Sequence, residues 1–131
     1  MSRRTPRRGS GRGGTPRYPR SVRVGQTLRE IIADELVRIG DERLEFVTVT
    51  GIDVDNELNR AHVYFDSLEG PDGDEGIIEA LDEHRVRLQT SIARQIRAKK
   101  TPILDFRVDD ALRAAERIDE ILRDDRRRGT D

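Results

Sequence analysis

Pro102 separates a basic helical pattern from an alternating one, and this junction restricts the folds open to the chain more than any other feature. Upstream, Leu88, Ile92 and Ile96 recur every four residues, which makes one apolar helical stripe. Arg87, Arg94 and Arg97 fall on roughly the opposite side of the same helix, at about 100° per residue. A proline cannot continue that helix, and it biases Thr101 toward extended backbone. Downstream, Leu104, Phe106 and Val108 alternate with polar neighbours, as in a half-buried strand. A helix that turns straight into a strand calls for a mixed α+β fold. The row of guanidinium groups it presents suits a polyanion better than a small substrate.

The remaining elements follow from similar patterns. Val24, Leu28, Ile31, Ile32, Leu36 and Ile39 line one face of a helix from Ser21 to about Arg38, with Ser21 as N-cap and Gly40 as the stop. Leu44 to Val54 is rich in β-branched residues and reads as a strand. Its phase changes at Gly51: Val47 and Val49 share one face, Ile52 and Val54 the other, and a bulge at the glycine reconciles them. Residues 55–59 form a hairpin turn, and Ala61, Val63 and Phe65 alternate along a second strand. Residues 67–76 read as a loop. A helical pattern then runs from Ile77 to about Lys100. It breaks at His84, Arg85 and Val86, where a straight helix would turn Arg85 inward and Val86 outward. Either the helix kinks there, or it continues with Arg85 snorkelling to solvent. A third strand covers Ile103 to Val108. Asp109 or Asp110 can cap a last helix bearing Ala111, Leu112, Ala115, Ile118, Ile121 and Leu122. Three strands with helices on one face make a single two-layer α+β domain over residues 21–123, followed by a charged end, 124–131, expected to fray.

Residues 1–20 are a separate object. They carry Arg3, Arg4, Arg7, Arg8, Arg12, Arg17 and Arg20, no acid, and mainly Gly, Pro, Ser and Thr otherwise. Such a segment buries too little apolar surface to offset its ordering entropy, so disorder is expected. The seven arginines leave 18 basic residues against 26 acids in the rest of the chain, so a basic tail precedes an acidic body. The tail can contact phosphates as a nucleic-acid arm, or it can be a solubilising extension.

Enzymatic and metal chemistry find little support. There is no Cys, hence no disulfide framework or thiolate metal site, which fits a reducing compartment. His62 and His84 are isolated, and two His without Cys make a poor zinc site. The acidic stretch 69–75 lacks the ligand spacing of a calcium loop. Asp53, Asp55 and Glu57 share a side, but nothing supplies a nucleophile or pocket. Tyr18 and Tyr64 can stack on bases or, for Tyr64, pack at the sheet. No Walker or dinucleotide loop is present. No cofactor and no metal are expected. No apolar run approaches the ~18 residues of a membrane span, and the N-terminal arginines have no apolar segment behind them, so no secretory signal is expected. The positive signal lies between Arg85 and Lys100, where Arg85, Arg87, Arg94, Arg97, Lys99 and Lys100 occur without a single acid. Arg suits bidentate phosphate contact, although a coding bias toward Arg would also explain why Lys occurs only at 99 and 100.

The element order resembles the ribosome-binding factor A family over roughly residues 20–122, and four strings carry the resemblance. They are Arg23-Val24 with Leu28-Arg-Glu-Ile-Ile32; Asp41-Glu-Arg-Leu44 followed by Val47-Thr-Val-Thr-Gly-Ile-Asp-Val54; Leu58-Asn-Arg-Ala-His-Val-Tyr-Phe65; and Thr101-Pro-Ile-Leu-Asp-Phe-Arg-Val-Asp109. The last looks like the family's P-x-L-x-F-x-x-D signature. The resemblance implies a type II KH-like domain and a non-enzymatic, cytoplasmic, monomeric assembly factor. It implies binding to the free small ribosomal subunit and its RNA, late maturation with processing of the RNA 5′ end, and a part in cold adaptation. By the same resemblance the RNA-facing surface is the helix–kink–helix region with the six basic residues named above. The family's Ala-x-Gly kink is replaced here by His84-Arg85-Val86, the Arg that usually follows it by Leu88-Gln89, and the basic residue of the second strand by His62. The alternative is a KH-like protein-interaction module or a single-strand RNA-binding regulator unrelated to ribosome assembly.

Overall fold

The structure, a computed structural model, describes the backbone of residues 20–96 and 100–129 and the side chains from 22 onward within those ranges. Helix α1 covers Arg20–Ile39, strand β1 Val47–Val54, strand β2 Arg60–Ser67, helix α2 Asp74–Glu83, helix α3 Arg85–Gln95, strand β3 Ile103–Val108 and helix α4 Asp110–Gly129. A 3₁₀ turn at Glu42–Leu44 joins α1 to β1, and a second at Pro71–Gly73 leads into α2. The sheet order is β1-β2-β3, with β1 antiparallel and β3 parallel to β2. A parallel neighbour needs a long crossover, which α2 and α3 provide.

The core lies between the sheet and α1, α2 and α3. Leu28 and Ile32 from α1, Phe65 and Val63 from β2, Leu104 from β3, and Ile77, Leu81, Leu88 and Ile92 from α2 and α3 are almost fully buried. The apolar faces predicted for the first two helical stretches and the three strands therefore meet in one cluster, while that of the last helix does not. The bulge predicted at Gly51 is present, since the β1–β2 register shifts between Val49 and Gly51. The shift lets Val47, Ile52 and Val54 pack against the same core as Val49 despite their odd spacing. Gly40 ends α1 as expected, at φ +62°, with its N–H on the Leu36 carbonyl at 3.2 Å. Gly25 has a use the sequence did not show. A Cβ there would lie 2.9 Å from the Ile52 carbonyl oxygen, so only glycine lets α1 cross this close to β1.

Several boundaries differ from the sequence reading. α1 begins at Arg20, so Ser21 lies inside it rather than capping it. The first strand starts at Val47 rather than Leu44, because Asp41 caps the 3₁₀ turn by accepting the Arg43 N–H at 2.9 Å, and buried Leu44 belongs to that turn. α2 begins at Asp74, ahead of Ile77, and Asp74 is ion-paired rather than part of a solvated loop. α3 ends at Gln95, and Ile96 is extended at φ −109°, ψ 129°. Lys100 is thus not on the helix, and 97–99 lie outside the described residues. α4 is capped by Asp109, whose Oδ1 accepts the Leu112 N–H at 2.9 Å. It runs on to Gly129, through the charged stretch expected to fray. Leu112 and Arg113 are its only half-buried residues, and Ala114 to Gly129 are exposed, including Ile118, Ile121 and Leu122. The physical reason is that α1, α2 and α3 already cover the sheet. α4 leaves from the end of β3 and is held at its base, where Arg113 pairs with Asp66 at 2.9 Å and Asp74 at 2.6 Å.

Candidate nucleic-acid interface

The break between α2 and α3 falls at His84, which adopts φ −96° and ψ 5°. That backbone needs no glycine, so the interruption forms where the sequence lacks one. Its stabilisation comes from side chains. His84 Nε2 lies 2.9 Å from Asp41 Oδ2. Arg43 donates from Nη2 to the same carboxylate at 2.7 Å and reaches Glu83 through Nη1 at 3.0 Å and Nη2 at 2.8 Å. This Asp41–Arg43–Glu83–His84 cluster ties the 3₁₀ turn before β1 to the end of α2. Arg43, followed by His84, holds the Asp41 carboxyl well below the usual carboxylate range, and Arg43 likewise lowers that of Glu83. Sequence reasoning missed the cluster, although Asp41 and Arg43 stood in one of the strings used for the family resemblance.

The basic residues after the break divide between two faces. Arg85 turns back toward β3. Its guanidinium carbon lies 5.8 Å from the centre of the Phe106 ring, its Nη2 pairs with Asp82 at 2.5 Å, and its Nε is buried with no hydrogen-bond partner among the described residues. Val86, the next residue, is exposed, so both residues break the helical pattern as the sequence anticipated. Arg87 and Arg94 are seven residues apart and share the opposite, outward face of α3. Arg87 donates from Nε to Glu35 Oε2 at 2.8 Å, while its side chain stays 53% exposed. Its two Nη groups have no hydrogen bond among the described residues. Arg94 is exposed with no ion pair among the described residues. Lys100 sits apart, at the tip of the β1–β2 hairpin, where Nζ donates to Asn59 Oδ1. Arg97, Lys99, the side chain of Arg20, and Arg3, Arg4, Arg7, Arg8, Arg12 and Arg17 of the tail lie outside the described residues.

Glu35 is the second group that sequence reasoning missed. It is 8% exposed on α1, and besides Arg87 it accepts from Ser91 Oγ at 3.2 Å and Arg38 Nη1 at 3.3 Å. The Arg87 hydrogen bond outweighs burial and holds its carboxyl below the ordinary value. A carboxylate so fixed constrains Arg87 at Nε and leaves the far edge of the guanidinium for another anion. The acid-free stretch from Arg85 to Lys100 thus has acids supplied in space, Asp82 to Arg85 and Glu35 to Arg87, while Arg94 has no ion pair among the described residues. The two histidines have hydrogen-bonded surface roles. His62 Nδ1 lies 2.9 Å from Asp105 Oδ2 across β2 and β3, on the sheet face opposite the core. Among the described residues no group of His, Cys, Asp or Glu could hold a metal ion, and no helix is long and apolar enough to cross a membrane.

The chain and its fold have counterparts among known proteins. The profile of the ribosome-binding factor A family matches residues 20–122. Ribosome-binding factor A of Rubrobacter xylanophilus is 36% identical over 106 residues, covering 80% of this chain and 86% of the relative. That of Rhodopseudomonas palustris is 35% identical over 114 residues, covering 84% of each. The crystal structure of ribosome-binding factor A from Thermus thermophilus superposes with a TM-score of 0.61 at 25% identity, over 67% of this chain and 94% of that one. The solution structure of a Thermotoga maritima protein shares the fold with a TM-score of 0.66 at 23% identity, over 72% and 91%. A homology model of the Thermus thermophilus factor, fitted into the cryo-EM map of a 30S complex, matches with a TM-score of 0.56 at 25% identity, over 66% and 92%. With the two-layer domain, the helix break and the exposed basic face all falling within the matched residues, the chain belongs to the ribosome-binding factor A family.

Proposed function

We propose that the protein binds the free small ribosomal subunit through the outward face of α3 and assists late maturation, including processing of the 5′ end of the subunit RNA. The observation that carries this reading is the likeness to a ribosome-binding factor A fitted into a 30S complex. The exposed pair Arg87 and Arg94 supports it, since both offer guanidinium edges to phosphate. The action is positional. A rigid helix pair holds the RNA backbone, and the bulk of the domain keeps premature partners away from the site. The arginine-rich tail adds phosphate contacts that carry no sequence information. Binding takes place in the cytoplasm, by a monomer, without a cofactor, and the need for it is greatest in the cold, where RNA misfolds persist longest.

The test is genetic. A strain lacking the protein is expected to accumulate free small subunits whose RNA retains a 5′ extension, most strongly at low temperature. The wild-type chain restores processing, and a chain carrying Arg87→Glu with Arg94→Glu does not. Normal 5′ ends in the deletion strain would remove the processing role.

A further inference from the structure

Helix α1 has two flanks with different surroundings. Glu35 faces α3, as described above. Residues 33 and 37 stand about 200° from it around the helix, and they line a groove of about 870 Å³ between α1, the 3₁₀ turn Glu42–Leu44 and β1. Ala33, Leu36, Val37 and Val47 give the groove its apolar surface, and Val37 is 82% exposed. RNA lying on the outward face of α3 would leave this flank open.

The charges around the groove oppose those of α3. Its lining has a single cation, Arg29, whose Nε is engaged by the Val49 carbonyl at 3.3 Å. Three acids line it as well. Asp41 is held by Arg43 and His84, but Glu42 and Glu45 are exposed with no ion pair among the described residues. The net negative lining repels phosphate and attracts cationic side chains.

We infer that this groove docks a lysine- or arginine-rich segment of a protein, with one apolar side chain seated against Leu36, Val37 and Val47 and cations against Glu42 and Glu45. The inference rests on the reading that the chain binds the small subunit, where proteins that fold against RNA offer such segments. The molecule would then grip RNA with α3 and protein with the far flank of α1.

The experiment uses the full chain bound to purified small subunits, with a photo-crosslinking amino acid at Val37. A cross-link to a protein is expected. In parallel, Glu42→Lys combined with Glu45→Lys is expected to weaken subunit binding about 5–10-fold, with the melting temperature unchanged. The sign discriminates, because a groove that met RNA would bind more tightly after such a reversal. A cross-link to RNA, no cross-link from bound protein, or unchanged or tightened binding by the lysine variant overturns the inference while leaving the α3 reading intact. A wild-type chain that fails to bind small subunits overturns the reading beneath it and the inference together.

Discussion

At the residue scale the account turns on Arg87 and the carboxylate behind it. Glu35 bears a negative charge beside a proposed RNA contact, so simple electrostatics predicts tighter RNA binding when that charge is removed. The geometry predicts the reverse, because Glu35 fixes the Arg87 guanidinium through Nε. Glu35→Gln is therefore expected to weaken subunit binding about 3–10-fold, the loss of one fixed charged hydrogen bond. In an Arg87→Ala background the same change should have no effect, or a slight gain. A filter-binding or sedimentation titration of the four proteins checks it, and tighter binding by the single variant would contradict it. Arg94→Glu should weaken binding more than Arg85→Ala, since Arg85 is already engaged by Asp82 and the Phe106 ring. The sequence made the cations of this region legible, but not their partners. Glu35 is 52 residues from Arg87, and no local pattern links them.

At the element scale the helix break and the base of α4 carry testable weight. Asp41 titrates below its ordinary value of 3.8 in the folded chain. A depressed carboxylate contributes stability that is full above the unfolded value and is lost as pH falls through the folded one. Asp41→Asn should therefore lower the melting temperature at neutral pH, and the difference from wild type should shrink as pH falls from about 5 to about 2. A difference that stays constant with pH would show that the cluster does not act through this charge. Arg113→Ala leaves Asp66 and Asp74 without their shared cation in a largely buried setting and should destabilise the fold by about 3 kcal/mol, measured by denaturant unfolding. Gly25→Ala should cost about 1–3 kcal/mol by forcing α1 off β1. Elements set by local chemistry were legible in advance: β3 with both its bounds after Pro102, the stop at Gly40 and the bulge at Gly51. Those set by tertiary contact were not. The Asp41 cap converts Leu44 from strand to turn, and α4 outruns the charge run expected to fray it. Its stripe of Ile118, Ile121 and Leu122 promised burial that the fold, already covered by three helices, does not provide.

At the scale of the whole molecule charge is segregated. The tail is cationic and the body is net acidic. Among the described residues Arg94 stands without an ion pair on α3, while Glu42 and Glu45 stand without one on the far flank of α1. Removing residues 1–19 takes away six arginines while keeping the start of α1. If all six contact phosphate, the log–log salt dependence of RNA binding should flatten by roughly 4–5. An unchanged slope would assign the tail to another task. The central claim is selective binding to the free small subunit through α3, and the most direct test is co-sedimentation of the full chain with free small subunits, free large subunits and joined ribosomes at physiological salt. Pelleting with the free small subunit alone is expected, sharply weakened in the Arg94→Glu variant at unchanged melting temperature. Equal pelleting with every particle, or undiminished pelleting of the variant, would contradict it.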